Sequence, residues 1–135
     1  MNDWNAQIIA EFRATGGKAA QFGDSPLVIL HTTGAKSGEL REIPLVAFIE
    51  GDDLYVFASA AGSPKHPDWY YNLKANPEIT VEFGVDTFEV IASELPTDEA
   101  DAKLMQQAEL MPQFADYIPK AAPRIIPAFR LTRAA

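Results

Sequence analysis

Two apolar runs separated by a glycine-containing turn constrain the fold of this chain more than any other feature. The stretches 26–33 and 40–50 are rich in apolar residues, and Gly34 and Gly38 lie between them. Short apolar runs bounded by glycines are typical of β-strands joined in a hairpin. Pro44 indicates an edge strand or a bulge, because proline cannot donate a hydrogen bond to a neighbouring strand.

The rest of the chain continues this pattern of short strands and tight turns. Further strands are predicted at 54–59, 78–83, 87–95 and 124–133, and helices at 1–14, 67–76 and 97–111. Strands joined by tight turns pair antiparallel, and six of them are enough to curl into a barrel. The predicted fold class is therefore mainly β with α (α+β), a six-stranded antiparallel barrel flanked by helices. A chain of 135 residues forms one domain (1–135), with 1–20 as N-terminal helix and linker and 26–135 as the barrel.

The N-terminal helix has one apolar stripe. Trp4, Ile8 and Phe12 recur at i, i+4 and i+8, which is the spacing of an amphipathic helix. We interpret this stripe as a face packed on the domain. A mobile lid and a membrane-surface helix are the alternatives, although few basic residues accompany the stripe.

Composition excludes several classes of function. The formal net charge of −8 argues against nucleic acid as a partner, and the lack of cysteine excludes thiolate catalysis and disulfides. No apolar run is long enough to span a membrane, and no export signal is recognisable at the N-terminus. We therefore expect a cytoplasmic protein with at most peripheral membrane contact.

The turn of the first hairpin gathers hydroxyl groups and positive charge. Thr32, Lys36, Ser37 and Arg41 lie within ten positions of an otherwise acidic chain. Glycines allow a close approach of the backbone, and Lys and Arg donate charge-assisted hydrogen bonds to anions. The functional interpretation is a phosphate cradle, and the alternative is a solvated turn. A strand follows the turn where a Walker A loop would need a helix.

No other arrangement of catalytic groups stands out. His31 and His66 are the only histidines, and neither has an acidic or histidine neighbour at the spacing of a metal site. We predict no metal. The aromatic residues at 69–71, with Phe114 and Tyr117, are either core residues or the walls of a site for a flat ring.

Two longer motifs carry a family resemblance. The first runs from Thr32 through Lys36 and Arg41 to Pro44, and the second is Pro-Asp-Trp-Tyr-Tyr-Asn-Leu-Lys-Ala-Asn-Pro at 67–77. In this order and spacing they resemble the deazaflavin-dependent nitroreductase family, from about residue 26 to the C-terminus.

The resemblance implies an FMN-binding-like split β-barrel that uses coenzyme F420, an 8-hydroxy-5-deazaflavin with a phosphate and a polyglutamate tail. It implies hydride transfer to an electron-poor acceptor such as an activated alkene, a quinone or a nitroaromatic. The residues expected to bind the cofactor by this likeness are Lys36, Ser37, Gly38, Arg41, Pro44, Phe57, Ala58, Ser59, Ala60, Trp69, Tyr70 and Asn72. A homodimer is also expected, because split barrels commonly pair.

The sequence departs from the family pattern near the substrate. Ala60 replaces a common lysine, with Lys65 in the same loop, and Phe114 stands where a tyrosine is often found. Tyr117 and Ser59 are therefore the candidate catalytic residues, as proton donor or as the group that polarises the acceptor, and Phe114 and Tyr117 are the candidate substrate contacts. An FMN-dependent split-barrel oxidoreductase and a non-catalytic deazaflavin carrier are the alternatives.

Overall fold

In a computed structural model of the chain, residues 3–23 and 25–134 are described. Four α-helices are formed by these residues: α1 (Asp3–Thr15), α2 (Asp68–Ala75), α3 (Thr97–Leu110) and α4 (Gln113–Ala121). The seven strands are β1 (Leu27–Thr33), β2 (Leu40–Val46), β3 (Phe48–Glu50), β4 (Asp53–Phe57), β5 (Glu78–Phe83), β6 (Asp86–Glu94) and β7 (Ala128–Arg133). Short 3-10 turns at Ala20–Phe22 and Ala60–Gly62 complete the described elements.

The strands form one curled antiparallel sheet in the order β2-β1-β5-β6-β7-β4-β3. Its two edge strands, β2 and β3, follow one another in the chain and are separated only by Ala47. The sheet must therefore curl until its edges approach each other. The predicted α+β split barrel is confirmed, with one correction: the stretch 40–50 bends at Ala47 and serves both edges, so the sheet has seven strands and not six. Pro44 lies on an edge strand, as predicted, paired with Ile29.

Two further corrections concern the C-terminal third. Residues 113–121, for which the sequence pattern predicts no helix, form α4. Pro112 caps this helix, at a position where the missing N–H is no loss. The last strand begins at Ala128 and not at 124, because the Arg124 amide bonds back to the Ala121 carbonyl and Pro127 has no N–H to donate.

Helix α1 packs on the outside of the barrel, which is the interpretation we favoured. Ile8, Ile9 and Phe12 are buried against β1, whereas Trp4 is 46% exposed and packs edge to face on Phe22. Ile8 and Phe12 of the predicted stripe are therefore buried as expected, whereas Ile9 is buried in place of Trp4. No helix among the residues that the structure describes is both long enough and apolar enough to cross a membrane.

Just after helix α1, Gly17 makes a close backbone contact, and we expect its substitution to destabilise the protein strongly. Gly17 has φ +115, and a Cβ atom there would lie 2.6 Å from the Cα of Gly84 in the β5–β6 turn. We expect Gly17→Ala to lower the free energy of unfolding by about 2–4 kcal/mol, because the backbone conformation is strained and the contact overpacked. Urea denaturation measures this difference.

Gly23→Ala is the matched control. Gly23 also has positive φ (+57), but no atom would lie within 4 Å of its added Cβ. We expect that variant to lower the free energy of unfolding by less than Gly17→Ala does, because only the backbone conformation opposes the added Cβ, at a cost of about 1–3 kcal/mol. Equal losses in the two variants would contradict a role for the contact between Gly17 and Gly84.

Candidate functional site

The turn between β1 and β2 is closed by its own backbone. The Gly34 amide donates to the Glu39 carbonyl at 2.8 Å, and the Gly38 amide donates to the Gly34 carbonyl at 3.0 Å. Gly38 has φ +73, a conformation that glycine adopts readily. A Cβ atom at Gly34 would lie 2.5 Å from the Oγ of Ser37, so a larger residue there would displace the Ser37 hydroxyl.

Helix α2 holds the turn in place from the side. The Oδ1 of Asn72, which is 7% exposed, accepts a hydrogen bond from the Ala35 amide at 2.9 Å. Asn76 adds a longer bond of 3.4 Å to the Thr33 carbonyl. The two sequence motifs are therefore in direct contact, and the second one orients the first.

A groove of about 640 Å³ lies between the turn and the start of α2; here it is called the tail groove. It is lined by Gly34, Ala35, Lys36, Ser37, Arg41, Asp68, Tyr71 and Asn72. Lys36 and Arg41 are exposed, and Nη2 of Arg41 lies 3.6 Å from Oε2 of Glu39. Two cations facing an open groove, with one carboxylate from Asp68 opposite, suit an anion that brings its own oxygen acceptors.

A second cleft, of about 270 Å³ and lined mostly by apolar residues, is built on the same two elements, β2 and α2; here it is called the ring cleft. Five of the predicted cofactor residues line it: Pro44, Phe57, Ser59, Ala60 and Trp69. Phe114 and Tyr117 of α4 line it as well, with ring centroids 5.2 Å apart. The structure thus brings both candidate catalytic residues, Ser59 and Tyr117, into one cleft.

Three predicted residues do not line either cavity. Gly38 shapes the turn but does not face the tail groove, and Ala58 is completely buried in the barrel core. Tyr70 points away from the ring cleft: its hydroxyl lies 3.2 Å from Glu94 Oε2, and its ring stacks on His66 at 4.3 Å. A direct contact of Tyr70 with a ligand in either cavity is not supported by this placement.

Comparison with known proteins identifies the family. Residues 4–132 match the family of F420H(2)-dependent quinone reductases, which is nearly the whole chain. The chain belongs to this family. The predicted resemblance to deazaflavin-dependent enzymes is confirmed by this match, as are the prediction of an F420-dependent reductase and of coenzyme F420 as its cofactor.

Relatives and solved structures agree with this assignment. An F420H(2)-dependent quinone reductase of Mycobacterium tuberculosis is 39% identical over 100 residues, which cover 72% of this chain and 67% of the relative. The structure of F420-H2 dependent reductase FDR-A matches with a TM-score of 0.70 at 39% identity, covering 78% of this chain and 93% of that one. A domain-swapped dimer matches with a TM-score of 0.72 at 37% identity, covering 96% and 97%.

The two cavities of this F420-dependent reductase fit a deazaflavin with an anionic tail. The tail groove has two cations and an open glycine turn, which suit a phosphate. The ring cleft offers aromatic and small side chains, which suit a flat ring lying against backbone. Lys36 and Arg41 would hold the tail, and Pro44, Trp69 and the residues after β4 would hold the ring.

Several residues of the ring cleft were missed by sequence reasoning. Trp4 and Asn5 of α1, Phe22 and Met111 all line it. The N-terminal helix therefore forms one wall of the cleft as well as packing on the barrel. The signal in the sequence was Trp4 itself, a large aromatic residue at one end of the apolar stripe.

His31 lies in an ionic cluster that the linear sequence did not reveal. Strand pairing brings Glu42 beside His31, and His31 Nε2 lies 2.7 Å from Glu82 Oε2. The ligand atoms of these three residues lie within 4.8 Å of one another. Arg13 of α1 donates to Glu82 at 2.7 and 3.0 Å and to Glu42 at 2.6 Å. The cation in this cluster is therefore Arg13, which ties α1 to the sheet and lowers the pKa of Glu82.

His66 and Arg124 form a second polar cluster, beside the ring cleft. Nη1 of Arg124 lies 3.0 Å from Nδ1 of His66. Burial, together with the charge of Arg124, lowers the pKa of His66 below its usual value. Nδ1 of a neutral His66 can accept a hydrogen bond from the guanidinium, whereas a protonated ring cannot.

Proposed function

We propose that this protein reduces quinones, with reduced coenzyme F420 as the hydride donor. The observation that carries the proposal is a pair of cavities built on β2 and α2, a groove lined by two cations and an apolar cleft lined by both candidate proton donors. The family to which the chain belongs favours a quinone over an activated alkene or a nitroaromatic. The deazaflavin supplies the hydride when it is bound.

The residues of the chain would bind, orient and exclude water. Lys36 and Arg41 would bind the tail by charge-assisted hydrogen bonds, so that the ring is held in one place. Trp69, Phe114 and Trp4 would cover the ring cleft and keep water away from it. Tyr117 is the candidate donor of a hydrogen bond or proton to the acceptor oxygen, and Ser59 is the second candidate.

Spectroscopy tests the proposal against both alternatives. Purified protein is titrated with F420 and, separately, with FMN, and binding is followed by fluorescence. Reduced F420 is then mixed with the protein and with 2-methyl-1,4-naphthoquinone, cyclohexenone or nitrobenzene, and its oxidation is followed by absorbance. We expect F420 binding and fastest oxidation with the naphthoquinone. FMN binding without F420 binding would overturn the proposal, and F420 binding without oxidation by any acceptor would favour a carrier.

We also propose a homodimer as the assembly of this chain. The support is a relative of 37% identity whose structure is a domain-swapped dimer and which this chain matches over 96% of its length. Light scattering distinguishes the mass of one chain from that of two, and a single-chain mass at every accessible concentration would contradict a dimer.

A further inference from the structure

Arg124, in the segment between α4 and β7, uses nearly all the N–H groups of its guanidinium to bind the loop that follows β4. Nε and Nη2 donate to the Ser63 carbonyl at 3.1 and 2.8 Å, and Nη2 also donates to the Ser59 carbonyl at 2.9 Å. Nη1 donates to the Ala58 carbonyl at 2.9 Å and faces His66. The loop that follows β4 is therefore gathered around a single guanidinium group.

This loop has an unusual backbone. Ala60 and Ala61 have φ values of +47 and +54, and Gly62 follows with +86. Left-handed conformations are unfavourable for alanine, and they persist only where surrounding contacts impose them. Two backbone bonds close the loop, from Gly62 to Ser59 at 2.9 Å and from Ser63 to Ala60 at 3.0 Å. Arg124 binds the carbonyls at both ends of this strained stretch.

The same loop forms part of the wall of the ring cleft. Ser59, Ala60 and Ala61 line the cleft. Gly62 packs tightly on α4, since a Cβ atom there would lie 2.7 Å from Cβ of Lys120 and 3.4 Å from Cα of Tyr117. A shift of the loop would therefore move Ser59 directly and Tyr117 through α4.

The partners of Arg124 indicate positioning and not charge pairing. Among residues 3–23 and 25–134, its hydrogen bonds go to three neutral carbonyls and an imidazole, and burial lowers its pKa. The planar fork of arginine can bind several carbonyls at once in fixed directions, which the ammonium group of lysine cannot reproduce.

We propose that Arg124 is a positioning residue, whose guanidinium holds the Ser59–Ala61 backbone in the conformation that receives the deazaflavin ring and the acceptor. The expected effect of Arg124 on turnover rests on the proposed function. The expected effect of Arg124 on the loop does not depend on any ligand.

Arg124→Lys and Arg124→Gln test the proposal, with Arg130→Gln as the control. Arg130 is a half-exposed arginine of β7 that contacts Tyr55 and lines neither cavity. Hydrogen exchange is measured first, without cofactor, on peptide 58–66. We expect exchange in this peptide to be at least about tenfold faster in both Arg124 variants, because the loop opens more often, while peptide 34–41 and the control remain unchanged.

Turnover is measured next, with F420 and the naphthoquinone. We expect kcat to fall about tenfold or more in both Arg124 variants, since a displacement of about 1 Å in the groups that position the reactants can reduce the rate about 10²-fold. The Kd of F420 should change less than about threefold, because the charge-assisted contacts to the anionic tail, which dominate the expected affinity, are untouched by these variants.

Unchanged exchange in peptide 58–66 would overturn the proposal, as would a fall in kcat no larger than the fall in folded fraction. If Arg124→Gln does not fold, Arg124→Lys carries the test. A wild-type protein that neither binds nor oxidises F420 would refute the proposed function, and the exchange measurement would still decide the role of Arg124 in the loop.

Discussion

Replacing Lys36 and Arg41 together by alanine weakens F420 binding by about 10²-fold to 10⁴-fold. Both side chains line the tail groove and are exposed to it. Each hydrogen bond from a charged group contributes about 1.5–3 kcal/mol, and the phosphate would be left without either partner. Fluorescence titration of the purified variant measures the change in Kd.

The double variant Lys103→Ala with Arg130→Ala is the matched control. It also removes the charges of one lysine and one arginine. Lys103 pairs with Glu50, and neither Lys103 nor Arg130 lines the tail groove or the ring cleft. We expect its F420 affinity to stay within about twofold of the wild type, since distant surface charges are screened by salt. Equal affinity in both double variants, with both folded, would return the turn to the interpretation of a solvated hairpin.

Tyr117→Phe lowers kcat for quinone reduction by about 10²-fold while the Kd of F420 is unchanged. Tyr117 is the tyrosine with which α4 lines the ring cleft, and a positioned proton donor contributes about 10²-fold to 10⁴-fold to rate. The phenylalanine retains the packing against Phe114. Steady-state kinetics with the naphthoquinone, together with the binding titration, separates kcat from affinity.

Ser59→Ala distinguishes the two candidate donors. If Tyr117 donates, Ser59→Ala has a much smaller effect on kcat than Tyr117→Phe, and the reverse order would assign the role to Ser59. Tyr55→Phe is the control, because Tyr55 loses a hydroxyl of the same kind that bonds to Arg130 outside both cavities. A Tyr117→Phe enzyme with wild-type kcat would contradict a role for this phenol.

The features predicted most accurately are those encoded within short stretches. The strand at 78–83 and the start of the helix at Thr97 agree with the structure, because alternation of apolar residues and the acidic residues of a first helical turn act over a few positions. Thr97 does not cap that helix, since Pro96 is at the N-cap and no side chain bonds there. Lys36 and Arg41 share one groove because five positions of a single turn separate them. Local chemistry is enough for such features.

Other features depend on contacts between distant parts of the chain. The bend at Ala47 follows from pairing of β2 and β3 at opposite edges of the sheet, and no signal within 40–50 marks it. Tyr70 belongs to the same motif as Trp69, yet it turns away from the ring cleft because successive residues of a helix point in different directions.

The sequence by itself determined the hairpin, its glycine turn with two cations, and the two motifs that indicate coenzyme F420, because each depends on residues close together in the chain. Only the tertiary structure decided how they act together. Asn72 reaches across 37 positions to hold the turn, and Arg124 reaches across about 60 to hold the loop beneath the ring cleft. Hydrogen bonds over such separations form only when the barrel has closed. A local pattern of residue types does not indicate which carbonyl groups a side chain far away in the sequence will bind.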